Sequence, residues 1–401
     1  MNNVSDIEKN PPKSLLMLLA SIVALSPLAI DMYLPAMPAL ADAFGTTISM
    51  VQNSLSIYLF GYTLGLLVFG PLADKFPRRT MVFIGIFGFF LASILLINCQ
   101  TINQFIAIRF AQAFVSSAAI VIVPSVIREY YGSNTAKGLS YVSMIMMLAP
   151  MIAPSIGSGL LLLHSWKLIF LLLTLYSVIV LVLAMRYLPE KNEINKTVKV
   201  KFLSRYFIVL SNKKIRFDLI TSMMSSLAFF TYLTTISFVY MTVFKLSEFY
   251  FSLFFAFNVM ALITAHFVNT RMVVSYGSRK MLYYGLILSV IMSALLVIVT
   301  YFSLSLSYTV IVIFFLMAGI TMISVNTDAL TLTAFKKEQS GTVSAVLGIG
   351  RFGAGALAGP ILSLFYDGSA LPFSLLMCGA ILAVLACQIT RFVTYGNYSN
   401  A

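Results

Sequence analysis

The chain has 401 residues, of which 60% are hydrophobic and only 10% are charged, and its mean hydropathy is +0.96. This composition excludes an ordinary soluble globular protein and indicates a polytopic membrane protein. The formal net charge of +13 could suggest a nucleic-acid partner, but the positions of the cations decide against that interpretation.

Apolar runs of membrane-spanning length follow one another along almost the whole sequence. A spanning helix needs about 20 apolar residues, and short polar turns separate most of the runs. We predict an all-α polytopic membrane protein whose twelve transmembrane helices form two six-helix bundles. The runs are 14–36, 48–72, 80–98, 103–127, 138–163, 166–188, 217–241, 248–270, 280–302, 307–332, 341–366 and 370–393.

One long polar insertion divides these runs six and six. Residues 189–216 are rich in Lys, Asn and Glu, and a long middle linker is typical of paired-bundle transporters. The predicted organisation is a cytoplasmic tail, an N-terminal bundle, a cytoplasmic linker, a C-terminal bundle and a second cytoplasmic tail. The corresponding ranges are 1–13, 14–188, 189–216, 217–393 and 394–401.

The cations follow the positive-inside rule. With the N-terminus in the cytoplasm, all but four of the 26 Lys and Arg fall on the cytoplasmic side; the exceptions are Lys167, Lys245, Arg109 and Arg351. This bias sets the orientation of membrane helices. We therefore expect both termini in the cytoplasm, contact with the bilayer and no nucleic-acid partner.

The first run contains an acid in an otherwise apolar stretch, PLAIDMYLPAMP. An ionised Asp31 near the bilayer centre costs about 3 kcal/mol or more, and Pro27 and Pro35 each remove a backbone donor and can kink the helix. We expect an uncleaved kinked helix whose acid faces a wet cavity. A simpler alternative is neutralisation of the acid by a neighbouring helix.

A short charged loop, GPLADKFPRRT, follows the second run. It begins at Gly70 and combines the acid Asp74 with the cations Lys75, Arg78 and Arg79. Such a loop can act as a charge latch that pairs internally or with the end of another helix. We predict an inner gate at Gly70, Asp74, Arg78 and Arg79.

The fourth run also carries a buried charge, Arg109. At about 1.5 Å per residue, Asp31 and Arg109 lie roughly 25 and 28 Å from the cytoplasmic ends of their runs, so the two charges are level. Gln112 and Ser116 continue the same helix face. This pattern predicts a wet cavity wall in which Arg109 influences the protonation of Asp31; a static ion pair is the alternative.

The fifth run, MLAPMIAPSIGSGLL, combines Pro150, Pro154 and Gly157. Prolines four residues apart allow the helix to bend, and small residues allow another helix to approach closely.

Two opposite charges lie in consecutive runs of the second half. Asp328 is roughly 12 Å before the inner loop, and Arg351 is roughly 15 Å after the next run begins. We predict that Asp328 and Arg351 form an ion pair; a water-exposed Asp328 is the alternative. Polar and aromatic side chains inside the runs are candidates for a substrate cavity. They are Tyr33, Tyr58, Gln112, Ser116, Phe230, Asn258 and Asn326.

Together these motifs resemble the major facilitator superfamily over essentially the whole chain. The charged loop resembles the family signature GxLaDrxGrr, with Pro77 where the family has glycine, and RFAQ from Arg109 resembles RxxQG. LAPMIAPSIGSG resembles the fifth-helix signature of antiporters, with Ala153 where glycine is frequent. The closest resemblance is to the Bcr/CflA subfamily of drug:proton antiporters.

This resemblance implies export of small amphipathic compounds, such as antibiotics, by alternating access in the bacterial inner membrane. Asp31 and Arg109 would couple transport to protons, and Pro150, Pro154 and Gly157 would form the antiporter helix. Export of an endogenous metabolite or siderophore, or less favourably proton symport, remains the alternative.

We expect no enzymatic activity, because the sequence lacks HExxH, GxSxG and clustered His and Cys. Cys99, Cys378 and Cys387 lie in or beside apolar runs without CxxC spacing, so neither disulfides nor a metal site is expected. The proton gradient would replace a cofactor, and the chain is expected to act as a monomer.

Overall fold

The computed structural model describes residues 13–73, 75–131, 135–163, 165–190, 209–212, 215–335 and 340–396, with backbone only at 13, 135–141, 143–147 and 340. Asp74, His164 and most of the predicted linker and tails lie outside these residues. Within the described ranges all regular structure is helical. The helices are α1 Lys13–Asp31, α2 Met37–Ala43, α3 Ile48–Leu72, α4 Arg78–Asn98, α5 Ile102–Ile120, α6 Val123–Tyr131, α7 Thr135–Leu161, α8 Lys167–Tyr187, α9 Arg216–Ser237, α10 Glu248–Tyr301, α11 Leu306–Thr333, α12 Ser340–Ala356, α13 Ala358–Leu364 and α14 Leu371–Tyr395. A 3-10 turn, Leu34–Ala36, precedes α2, and a π-helical turn, Phe238–Val243, follows α9.

The chain divides into two compact units. The first consists of Met1–Ala36 and Leu64–Val198, and the second of Met37–Thr63 and Lys199–Ala401. The two six-helix bundles expected at 14–188 and 217–393 remain a prediction.

In the first unit, α4 packs against α5 and α8, while α1 packs against α7 and α8. The Tyr176 hydroxyl of α8 donates a hydrogen bond to the Ser21 carbonyl of α1 at 2.9 Å. Apolar side chains such as Phe89 and Phe105 fill the interior. The outer faces of these helices are also apolar. The interior is therefore distinguished by the polar side chains that it buries, such as Ser93 and Gln112.

In the second unit, α10 packs against α11 and α14, and α9 packs against α11, α12 and α14. The face of α9 that these neighbours cover is rich in buried Ser and Thr. Such side chains are tolerated in an apolar helix because their hydroxyls can bond to backbone carbonyls one turn earlier, as Thr231 does to Leu227 at 2.7 Å. The unit therefore contains buried polar groups throughout its depth.

Ten helical stretches of the described chain are long and apolar enough to cross a membrane, and a shorter apolar segment, Leu148–Leu161, lies within α7. The separate eighth and ninth runs expected from the sequence are joined in α10, which has 54 residues. A continuous helix of this length would extend about 80 Å. Its backbone leaves helical geometry at Gly277, where φ is 77° and ψ is 154°, a conformation that favours glycine. Gly277 thus separates two helices without an intervening loop.

Candidate functional site

Helix α1 ends at the buried acid found in the sequence analysis. After Asp31 the chain makes a turn at residues 32–33, then the 3-10 turn, and then enters α2. Pro35 lacks an amide hydrogen, so the Asp31 carbonyl loses its usual helical donor, which is why the break falls here. The carboxylate thus lies at the C-terminal end of a helix, where the helix dipole disfavours a negative charge, and Asp31 is only 3% exposed.

The buried cation of α5 lies beside this break. Thr101 caps α5, accepting a hydrogen bond from the Gln104 amide at 3.3 Å, and this fixes the start of the helix that carries Arg109. The Arg109 guanidinium lies 4.5 Å from the centre of the Tyr33 ring, two residues after Asp31. A cation over an aromatic face is stabilised most strongly when it is desolvated, and Arg109 is fully buried.

A chain of hydrogen bonds holds Arg109 in place. Its Nη1 donates to Oε1 of Gln112 at 2.9 Å, and Nε2 of Gln112 donates to Oγ of Ser93 on α4 at 2.9 Å. The Ser93 hydroxyl donates to the Phe89 carbonyl at 2.8 Å. Ser93 was missed in the sequence analysis, because a single serine in an apolar helix has no distinguishing pattern. Ser116, also buried, donates to the Ala113 carbonyl at 3.0 Å.

Asp31 takes part in none of the ion pairs formed by the described residues. These pairs are Arg78–Glu129, Arg279–Asp218 and Arg351–Asp328. Arg109 and Asp31, which helical rise places at the same depth in the membrane, therefore form no direct salt bridge. Since a buried carboxylate is costly unless it is paired, this site favours a proton, or a ligand that can replace one, on Asp31.

The proline-rich helix α7 packs against the same break. A Cβ built at Gly157 would overlap the Met32 carbonyl oxygen, one residue after Asp31, and would lie 3.2 Å from Cγ of Pro35. Pro154 lies inside α7 one turn before Gly157, and Pro150 lies two turns before it. Gly157 of α7 is therefore in close contact with the backbone that follows Asp31.

The predicted ion pair of the second unit is present. Nη1 of Arg351 on α12 donates to Oδ2 of Asp328 on α11 at 2.7 Å. Arg351 also donates to the hydroxyl of Ser324 and, at 3.3 Å, to that of Ser226 on α9. The pair thus ties three helices together.

A second ion pair in this unit was not foreseen. The segment before Arg279, at the break in α10, has cations like those of the charged loop of the first half but lacks its acid. The acid comes instead from Asp218 at the start of α9, which accepts both Nη1 and Nη2 of Arg279, at 2.7 and 3.0 Å. Gln388 on α14 also accepts from Arg279, at 3.4 Å.

The residues of the predicted inner gate are only partly described. Gly70 lies near the end of α3, whereas Asp74 is outside the described residues. Nη2 of Arg78 pairs with Oε2 of Glu129 on α6 at 2.6 Å. Nε of Arg79 donates to the Leu188 carbonyl at 2.9 Å. The gating role stays a prediction.

The predicted cavity residues of the second unit belong to separate clusters. Phe230 packs against Phe352, Asn258 donates to the Tyr240 hydroxyl at 2.7 Å, and Asn326 donates to Asn269 at 2.6 Å. All three, like Tyr58, are buried. A shared role in substrate binding therefore remains a prediction.

The family model described as Major Facilitator Superfamily matches residues 19–360. The chain belongs to the major facilitator superfamily. This finding confirms the fold expected from the sequence motifs at the level of an all-helical transporter of this superfamily.

Two relatives in this superfamily carry names that refer to drug resistance. A bicyclomycin resistance protein homolog of Haemophilus influenzae is 27% identical over 90% of this chain and 92% of its own length. A chloramphenicol resistance protein of Pseudomonas aeruginosa is 30% identical over 67% of this chain and 66% of its own. These relatives confirm the resemblance to the drug:proton antiporter subfamily.

Among solved structures, a D-xylose–proton symporter superposes with a TM-score of 0.76 over 94% of this chain and 97% of its own, at 14% identity. A superposition at an identity this low establishes the fold alone, and it says nothing about the substrate. Together with the apolar helices, the family and the bacterial relatives identify a multi-pass protein of the bacterial inner membrane.

Proposed function

We propose that this superfamily member exports small amphipathic compounds, including antibiotics, in exchange for protons by alternating access. One observation carries the proposal: Asp31 is buried at a helix end without an ion-pair partner among the described residues, while Arg109 is held beside the following turn. The relatives named for bicyclomycin and chloramphenicol resistance support efflux as the task.

Competition at Asp31 would couple the two movements. A compound that arrives from the cytoplasm displaces the proton from Asp31, and a proton that enters from outside later neutralises the carboxylate and releases the compound. Arg109 provides a fixed positive field that allows the carboxylate to lose its proton during part of the cycle. Because substrate and proton occupy the site alternately, the proton gradient drives export.

The proposed topology has twelve spans with both termini in the cytoplasm. The break at Gly277 supports counting α10 as two spans, and the apolar segment Leu148–Leu161 supports counting α7 as one. The distribution of Lys and Arg supports the orientation. We further propose that the chain works as a monomer, needs no cofactor besides the proton gradient and has no enzymatic activity.

Transport into inside-out membrane vesicles tests the proposal. Chloramphenicol is a suitable probe, and an imposed gradient with an acidic interior should drive its accumulation by wild-type protein. Asp31→Asn should reduce accumulation to the level of empty vesicles while the protein remains folded. Asp328→Asn serves as the control, because that acid is held by Arg351. Normal gradient-driven accumulation by Asp31→Asn would contradict the proposal, and a gradient-driven loss of probe from wild-type vesicles would indicate symport.

A further inference from the structure

An apolar groove lies on the second unit between α14 and the part of α10 that follows Gly277. Its volume is about 480 Å³, and several of its side chains are half exposed. The groove follows α10 for about 12 Å, which is most of the distance from a membrane surface to the bilayer midplane, roughly 15 Å. Its lining residues include Tyr283, Ile287, Ile291, Leu385, Ile389 and Phe392.

Two cations flank one end of the groove in the sequence of its helices. Lys280 precedes Tyr283 by one helical turn, and Arg391 directly precedes Phe392. Lys280 is exposed and forms none of the ion pairs found among the described residues. Nε of Arg391 is buried and has no hydrogen-bond partner within the described part of the chain. Both cations therefore have the capacity to bind a ligand.

Two charged residues near these cations, Asp218 and Arg279, are paired with each other. Asp218 accepts both terminal nitrogens of Arg279, so this acid does not neutralise Lys280 or Arg391. Gln388 is the one amide residue among those that line the groove, and its amide is used in hydrogen bonds with Arg279 and Thr221. The ordered α9–α10–α14 junction thus provides a rigid base for the groove.

We propose that this groove is a binding site for an anionic phospholipid. An acyl chain occupies the apolar part, and the phosphate group lies at the basic end against Lys280 and Arg391. A basic pocket between helices at a membrane surface is suited to anionic headgroups, and an apolar groove at hydrocarbon depth is suited to a chain and not to free phosphate. The site is separate from Asp31 and Arg109, so it does not depend on the proposed transport cycle.

Native mass spectrometry of the purified full-length chain tests the site. Delipidated protein is incubated with dioleoyl phosphatidylglycerol or with dioleoyl phosphatidylethanolamine, which differ in headgroup charge but share the same chains. We expect wild-type protein to retain phosphatidylglycerol preferentially. Lys280→Gln/Arg391→Gln should weaken its retention at least about tenfold, since it removes both cations that attract the anionic headgroup.

Two further variants distinguish the groove from general charge effects. Lys75→Gln/Arg128→Gln removes the same charge from the first unit and should leave retention unchanged. Val290→Trp fills the groove while keeping both cations and should also weaken retention. Equal retention of the two lipids, or unchanged retention by Lys280→Gln/Arg391→Gln, would overturn the proposal. Groove-dependent association of two copies in cross-linking would also overturn it, by assigning the groove to a dimer interface.

Discussion

The acids of the two units are buried in different ways. In the first unit, Asp31 is 3% exposed and belongs to none of the ion pairs among the described residues. In the second, the side chains of Asp218 and Asp328 are 5% and 26% exposed, and each is paired with an arginine at 2.7 Å. Burial of an acid in a membrane helix therefore does not by itself identify a proton carrier. What differs is the partner: Asp218 and Asp328 are each held by an arginine, whereas Asp31 has no ion-pair partner among the described residues.

The arginines show the same contrast. Arg351 and Arg279 donate directly to carboxylates, whereas Arg109 contacts the Tyr33 ring and Gln112. Arg109 can thus act on Asp31 through its electric field without locking the acid in an ion pair. We infer that the first unit carries the coupling chemistry and that the ion pairs of the second unit hold its helices together.

The two units should differ most in how far export falls when one arginine of each is replaced by lysine. Arg109→Lys should reduce export at least about tenfold, because a desolvated cation–π contact is worth about 2 kcal/mol and the planar guanidinium is lost. Arg351→Lys keeps a cation near Asp328, whose side chain is 26% exposed, and should change export by less than about threefold. Vesicle transport at equal protein abundance measures both; equal losses would remove the distinction between the units.

Packing of α7 against α1 provides the next test. Gly157→Ala places a methyl group against the Met32 carbonyl, and overpacking of this kind costs about 1–3 kcal/mol. Export should fall several-fold. Gly159→Ala is the matched control, because a Cβ there has no atom within 4 Å and transport should be unchanged. If both variants transported normally, α7 would not act on the turn after Asp31.

Charge reversal tests the ion pair of α11 and α12. Asp328→Arg and Arg351→Asp each place like charges side by side and should lower export or abundance. The double variant restores opposite charges and should recover at least half of the loss, measured as transport per folded protein. Failure to recover would show that the individual side chains, and not their attraction, are required.

The smallest effect on export is expected at Asp218. Asp218→Asn removes the carboxylate from Arg279, whose side chain is only 17% exposed, and should lower the free energy of unfolding by about 3–5 kcal/mol. The pH dependence of export by the remaining folded protein should not change. Glu129→Gln removes an acid that is 44% exposed and makes a single contact with Arg78, so it should cost less than Asp218→Asn, which removes two contacts. Thermal unfolding in detergent compares the two variants, and a shifted pH profile in Asp218→Asn would assign this acid to coupling.

Properties that follow from hydropathy and helical rise could be predicted from the sequence. Apolar runs located the helices, and counting rise per residue brought Asp328 and Arg351 to compatible depths, where they form their ion pair. The same count placed Asp31 and Arg109 at one level but could not give the rotation of their helices. In the structure that rotation directs Arg109 to Tyr33 and Gln112.

Contacts between distant segments could not be predicted in this way. Ser93 reaches Gln112 only because α4 packs against α5. Asp218 supplies the acid missing from the segment before Arg279 although it lies 61 residues earlier. Only the backbone angles of Gly277 show that it joins two helices directly. In the sequence, a single glycine in a polar turn is equally compatible with a loop. Pairing of this kind depends on tertiary packing, which local patterns do not specify.

Proton release on binding tests the central claim most directly. Chloramphenicol is added to detergent-solubilised protein in weakly buffered solution with a pH indicator, and binding is measured in parallel. Wild type and Asp328→Asn should release a proton as the compound binds, whereas Asp31→Asn should bind it without proton release. Undiminished release from Asp31→Asn would show that the proton leaves another group, and would contradict competition at Asp31.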